Sequence, residues 1–227
     1  MLVRNNNYIK PVKQTAYDLY FGEPIQTTDI EGTRTSSVIF GTTERLPIAS
    51  ITNAARNEVA YSSFELDEGW YTGSWSNVNA QILKESSPTG DYCLRLSNGS
   101  SSTAYIPILK DYKLSFWASS SSFNISSNPV PKIVGPSISG WTYYEFDLPP
   151  WSPYLTITGN CKIDELRLYP KDASMSTTTY RPGIGKTSEC DINNRISYFE
   201  YDEFGRISKL LDAYHNIIKT YEYHFKN

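Results

Sequence analysis

Two kinds of side chain in this sequence can do chemistry by type and spacing: carboxylates in short runs, and aromatic rings set among polar residues. Glu65, Asp67 and Glu68 stand close together, and Asp164 and Glu165 are adjacent. Two carboxylates flanking a glycosidic bond are the minimum apparatus for glycoside hydrolysis. Nothing else in the chain supports catalysis. His215 and His224 lie near the C-terminus, far from any Cys or Ser motif, and Gly-x-Ser-x-Gly, His-Glu-x-x-His and P-loop patterns are missing from the sequence. Cys93, Cys161 and Cys190 have no Cys-x-x-Cys spacing, which argues against zinc, and their odd number argues against a disulfide framework. Cys93 and Cys161 can pair only if their strands are neighbours. The expectation is a protein that is not an enzyme.

The aromatic residues point to binding. A sugar presents flat C–H faces and a rim of hydroxyls, so an aromatic ring beside polar groups suits it. Trp70, Tyr71, Trp75 and Trp151 fall in turn-rich stretches. Trp117, Tyr143 and Arg95 fall on the non-core side of strand-like runs, as does Trp141. Either set can form a platform. The competing reading is structural, with tryptophans closing the ends of a sandwich or covering its outer sheet. The loop pair Trp70 and Trp75 is the better functional choice, because loops carry specificity. Trp141, after Gly140 at a strand start, suits a structural role.

The elements that must position these residues are strands. The chain has 227 residues, 39% hydrophobic and 20% charged, with 18 Tyr beside 2 Met and 2 His, a bias toward β-structure. Between about 56 and 170, short alternating runs are separated by Pro, Gly, Asn and Ser at roughly 10-residue spacing, the pattern of an all-β sandwich or jelly roll. Alternation puts Tyr112, Leu114 and Phe116 in the core, with Tyr144, Phe146 and Leu148, and with Leu94 and Leu96. In KIDELRLY, Leu166 and Leu168 point inward, and the same parity places Asp164 inward, where a carboxylate needs a partner or a metal.

The flanks read differently. Residues 179–195 align with 200–216 at an offset of 21 residues, matching Tyr180 to Tyr201 and Asp191 to Asp212. Each unit is a strand, a Gly turn, a second strand and an Asp turn, hence a chain of β-hairpins. Residues 1–55 carry a weaker version, with Tyr17-Asp18, Gly22 and an Asp29–Gly32 turn. Single hairpins are marginal alone, so the two flanks are expected to lie side by side as one sheet. The domains are then 1–55, 56–170 and 171–227.

Net charge is −3, and no more than two basic residues are adjacent, which argues against a nucleic-acid partner, since phosphate binding needs a concentrated basic surface. No apolar run approaches the ~20 residues of a membrane span. The N-terminal MLVRNNNYIKPVKQ shows no signal-peptide h-region.

EYDEFGRISKLLDAYHNIIKTYEY resembles the YD repeat of Rhs-type proteins: Tyr201, Asp202, Gly205, Arg206, Asp212, Asn216, Tyr221 and Tyr223 fit its pattern. The stretches SSVIFGTTERLPIASITNA and RLYPKDASMSTTTYRPGIGKTSECD are similar to repeat proteins of Bacteroidetes. The N-terminal copy departs from the pattern at Glu23, where Arg is usual. The middle segment resembles the jelly rolls of carbohydrate-binding modules of the galactose-binding-like group, on Ser63-Phe64-Glu65, SPTGDYCLRL, YKLSFW, GWTYYEFDL and KIDELRLYP. These resemblances imply a cell-surface or secreted protein, a jelly roll inserted in a hairpin strip, a glycan ligand, and further repeats of a longer assembly as partners. They also imply a structural Ca²⁺ joining the first strand to the last, held by Glu65 and Asp164, with Asp67 or Asp91 completing the shell. The alternatives are a purely structural shell or stalk segment, and, last, a glycan-active enzyme.

Overall fold

The computed structural model describes residues 12–17, 22, 24–29, 31–42, 45–66, 68, 75–106, 110–150 and 153–224. It is an all-β protein with three antiparallel sheets. The strands are β1 Val12–Tyr17, β2 Pro24–Asp29, β3 Thr35–Phe40, β4 Pro47–Thr52, β5 Ala60–Ser62, β6 Trp75–Val78, β7 Gln81–Lys84, β8 Tyr92–Arg95, β9 Ser101–Tyr105 and β10 Tyr112–Ala118. They continue as β11 Phe123–Ile125, β12 Ile133–Ile138, β13 Trp141–Leu148, β14 Tyr154–Gly159, β15 Lys162–Pro170, β16 Ser174–Arg181, β17 Gly185–Cys190, β18 Ile196–Tyr201, β19 Ile207–Leu211 and β20 Ile217–Thr220.

The sandwich is built from two sheets. One runs β12-β13-β10-β15-β8-β7, with β5 also on β15; the other runs β11-β14-β9-β6. Its core joins Leu114, Phe116 and Phe146 to Leu94, Leu155, Ile157, Leu166 and Leu168, all essentially without solvent contact. Phe116 stacks on Phe146 at 5.9 Å and meets Phe123 edge-on at 5.0 Å. The alternation seen in YKLSFW and WTYYEFDL therefore sorts the two faces as expected, because a pleated strand turns every second side chain inward.

The third sheet is a nine-stranded strip, β1-β2-β3-β4-β16-β17-β18-β19-β20, in which the N-terminal hairpins meet the C-terminal ones through β4 and β16 (Ile51 opposite Met175). The sandwich is inserted between those two strands. Three turns of the strip repeat one design. Asp191, Asp202 and Asp212 each accept the amide protons of the residues two and four positions on, through Oδ1, at 2.8–2.9 Å. The third residue after each Asp takes left-handed backbone: Asn194 (φ 60°), Gly205 (φ 74°) and His215 (φ 60°). Asp29 makes a turn one residue longer, holding the amides of Thr33 and Arg34, with Gly32 at φ 71°. The recurring tyrosines also have a common task. Tyr201 donates its hydroxyl to the Lys186 carbonyl, Tyr223 to that of Ile207 and Tyr180 to that of Pro47.

The strip does not hang beside the sandwich. It packs on the outer face of the sheet containing β10, β13 and β15. Trp117, Trp141, Tyr143 and Cys93 from the sandwich are buried with Cys190 and Ile196 of the strip. Beside them Tyr61 and Tyr169 pack with Ile39, Ile51 and Met175. At the centre Arg167, wholly buried, directs Nε and Nη2 to Glu165 Oε1 at 2.8 and 2.6 Å. The same guanidinium donates to Thr177 Oγ1, the Met175 carbonyl and Asn194 Oδ1 on the strip. Protein and ion-pair partners on both layers satisfy this charge, which makes the stacking register specific. Among the described residues no helix is long and apolar enough to cross a membrane.

Candidate glycan-binding face

With one sandwich sheet covered by the strip, the outer face of the other remains open. On β14, Leu155 and Ile157 point into the core, so Tyr154, Thr156 and Thr158 point out. On β9, Ser102 and Ala104 point in, so Ser101, Thr103 and Tyr105 point out. The register aligns them as three cross-strand rungs: Tyr154 opposite Tyr105, Thr156 opposite Thr103, and Thr158 opposite Ser101. The two tyrosine rings, 48% and 57% exposed, lie 4.9 Å apart and tilted by 44°. The two threonine hydroxyls are 3.0 Å apart. Asn124 on β11 and Ser76 on β6 extend the face sideways, opposite Thr158 and Thr103. None of these positions carries a charge. The ladder runs about 14 Å along the strands, longer than one pyranose ring. Its polar end opens into a groove of about 790 Å³ lined by Ser97, Asn98, Ser122, Asn160 and Phe123.

Tyr105 and Tyr154 escape a reading that looks for tryptophans. The signal was present in the alternation: each shares parity with Ser or Thr neighbours, while Ala104, Leu155 and Ile157 hold the core positions.

The aromatic residues singled out in the sequence go elsewhere. Trp117 and Tyr143, 2% and 7% exposed, do leave the sandwich core, but the strip covers them. Parity assigns a face and does not tell what packs on it. Trp75 opens β6 rather than lying in a loop, and packs half-buried against the sandwich core. Arg95 is exposed on β8, on the sheet opposite the tyrosine ladder. Trp70, Tyr71 and Trp151 lie outside the described residues, as does Asp67.

The carboxylates are engaged by protein donors. Asp164 is fully buried, but on the strip side and not in the sandwich core. Glu165, left-handed at φ 54°, forms a bulge opposite β10 that inserts one residue and reverses the parity counted back from Leu166. Asp164 Oδ2 accepts the Thr89 amide at 2.8 Å and its hydroxyl at 3.0 Å, while Oδ1 accepts the Glu165 amide. Burial raises its pKa well above the usual carboxylate range. Glu65 Oε1 accepts the amides of Asp91 and Tyr92, both at 2.8 Å, and burial raises its pKa to about 8. Glu68, also buried, accepts Ser62 Oγ and the Ser63 amide and hydroxyl, and burial raises it to about 7. Asp91 faces Arg181 of the strip in a two-pronged pair at 2.5 and 2.9 Å. Asp164 and Glu65 thus clamp the loop Thr89–Tyr92 by its amides. N–H donors surround these oxygens where a calcium ion needs oxygen ligands. Among the described residues no three His, Cys, Asp or Glu side chains gather for a metal. Of the residues expected to hold calcium, Glu65, Asp91 and Asp164 are engaged in this way and Asp67 lies outside the described residues.

Cys93 and Cys161 are free thiols on opposite faces of their sheet, Cys93 under the strip and Cys161 in the sandwich core. That geometry rules out a bond between them.

No protein-family model matches this chain, and no curated protein does. A solved structure that matches is the C-terminal family 22 carbohydrate binding module of Clostridium thermocellum Xyn10B, from work on conserved residues of its cleft in ligand binding. The identity is 16%, the match covers 52% of this chain and 98% of that one, and the TM-score is 0.33. At that score the likeness carries no weight, and the fold rests on the strand pairings given above.

Proposed function

We propose that this chain binds neutral carbohydrate, without transforming it, along the outer face of β6, β9, β14 and β11. One observation carries the reading: the uncovered Tyr105–Tyr154, Thr103–Thr156 and Ser101–Thr158 ladder. Rings at one end offer stacking for C–H faces, and hydroxyls along the rest exchange hydrogen bonds with a sugar rim. The uncharged lining favours a neutral glycan over a uronate or sulfated one, since nothing on it pairs with an anion. An array of neutral and acidic oligosaccharides, probed with the wild-type chain and with Tyr105→Ala, tests this. The expected result is retention on neutral glycans only, lost in the variant at an unchanged melting temperature. Retention on no glycan removes the reading.

A second reading has its own support. The repeated Asp turns give the three C-terminal hairpins of the strip the same wiring, and tyrosine hydroxyls brace them, as a YD-repeat protein of the Rhs type would need. In that reading the chain is a segment of a longer surface or secreted assembly, and the sandwich is its glycan-binding or purely structural attachment. Rhs-type identity predicts that hairpins of the same design adjoin this segment in the assembled protein, which electron microscopy of that assembly reads directly.

A further inference from the structure

A second cavity, of about 680 Å³, lies where the strip's turns meet the sandwich sheet. Its size suits a small molecule. Trp117 and Tyr143 stand at its buried end, and Ile133 and Ile138 of β12 line one side. The turns Asp191–Arg195 and Asp212–Tyr214 supply the other side. Around the opening Ile133, Ile192, Tyr214 and Ile218 are 41–62% exposed, an apolar cluster at one place where scattered single residues would call for no explanation.

The polar groups of this cleft are unequally occupied. Its two carboxylates and the Asn194 amide oxygen are already engaged. Glu145 receives the Tyr143 hydroxyl at 3.0 Å and faces Lys113 Nζ at 3.3 Å. Asp212 receives the amides of Tyr214 and Asn216 and the Asn216 side chain. Asn194 Oδ1 receives Arg167. Two of its donors stand out, one for its burial and one for its charge. One is the buried Trp117 indole N–H, which borders both this cleft and a void of about 30 Å³. The other is the guanidinium of Arg195, for which no ion pair or side-chain hydrogen bond is found among the described residues. A ligand that brings an acceptor to these two donors is favoured, and Arg195 favours an anionic one. The apolar rim requires that the rest of the ligand be hydrophobic.

We infer that this interlayer cleft binds a small amphipathic anion, with an aromatic or acyl body over Ile133, Ile192, Tyr214 and Ile218 and a single acidic headgroup on Arg195. The site is separate from the tyrosine ladder and exists only because the strip is packed on the sandwich.

Two probes with similar naphthalene bodies test it: 8-anilinonaphthalene-1-sulfonate, which is anionic, and N-phenyl-1-naphthylamine, which is neutral. Each is titrated by fluorescence into the full chain, with melting temperature recorded for every variant. The expected result is saturable one-to-one binding of the anionic probe. Arg195→Gln weakens that probe about tenfold, as expected for one charge-assisted contact, and leaves the neutral probe unchanged. Ile218→Asp abolishes both, and Tyr105→Ala affects neither. Both substituted cleft residues are exposed, so the fold is expected to survive them. Unsaturable binding, or binding indifferent to Ile218→Asp, overturns the site. Anionic binding that ignores Arg195→Gln overturns the assignment of an acidic headgroup.

Discussion

Glu65 and Glu68 are held uncharged by burial up to pH values of about 8 and about 7. The native state therefore binds more protons than the unfolded chain between the ordinary carboxylate range and those values. Stability is fully present below the unfolded pKa and is lost as pH rises through the folded ones. The melting temperature should fall steadily from about pH 5 to about pH 8.5, and Glu68→Gln, which keeps a neutral acceptor, should flatten the slope. A melting temperature that rises over this interval contradicts the burial of these two groups as neutral carboxyls. The neighbouring Asp164 marks where sequence reading stops at this scale. Its burial was legible, because a charged residue stands within an otherwise apolar alternation. Its face was not, because the bulge at Glu165 places a left-handed residue where no glycine announces one.

Among the elements, the strip was the most legible part. A 21-residue offset between paired Tyr and Asp residues has a direct physical content: the Oδ1 of Asp191 and of Asp212 closes its turn by two amides, and the hydroxyls of Tyr180 and Tyr201 reach carbonyls on neighbouring strands. Removing one such carboxylate, as in Asp202→Ala or Asp212→Ala, should lower the midpoint of urea unfolding. The double variant should approach the sum, since the two turns lie at opposite ends of β19. The sandwich strands were legible where alternation was long, in β10 and β13. Short β6, β7 and β11 carry too few residues for a period to appear. The candidate binding face was hidden for a related reason. Its residues are ordinary Ser, Thr and Tyr on β9 and β14, and only pairing of the two strands turns them into a ladder.

At the scale of the whole molecule, what distinguishes the chain is the three-layer stack. A platform of Trp117 and Tyr143 seemed available while the sandwich was considered alone, and the strip removes it. The buried Arg167 group makes the two parts one unit. Arg167→Met should destabilise the full chain by about 3–5 kcal/mol, because Glu165 is left buried without its counter-charge; adding Glu165→Leu should recover most of that loss. Recovery by the double variant distinguishes a charge effect from lost packing. The three thiols offer an independent check. Cys93 and Cys190 lie between the layers and Cys161 inside the sandwich, so all three should resist a thiol reagent in native buffer and become reactive in one cooperative step with denaturant. Reaction of Cys93 and Cys190 well before Cys161 would show the strip leaving the sandwich first.

The claim that matters most is that the open sheet, and not the covered one, meets the ligand. Isothermal titration of the best glycan from the array into Tyr154→Ala and Trp117→Phe decides it. The tyrosine variant should lose at least about tenfold in affinity, the order expected for one aromatic platform, and the tryptophan variant should bind as the wild type does. Undiminished binding by Tyr154→Ala together with loss in Trp117→Phe would contradict the account.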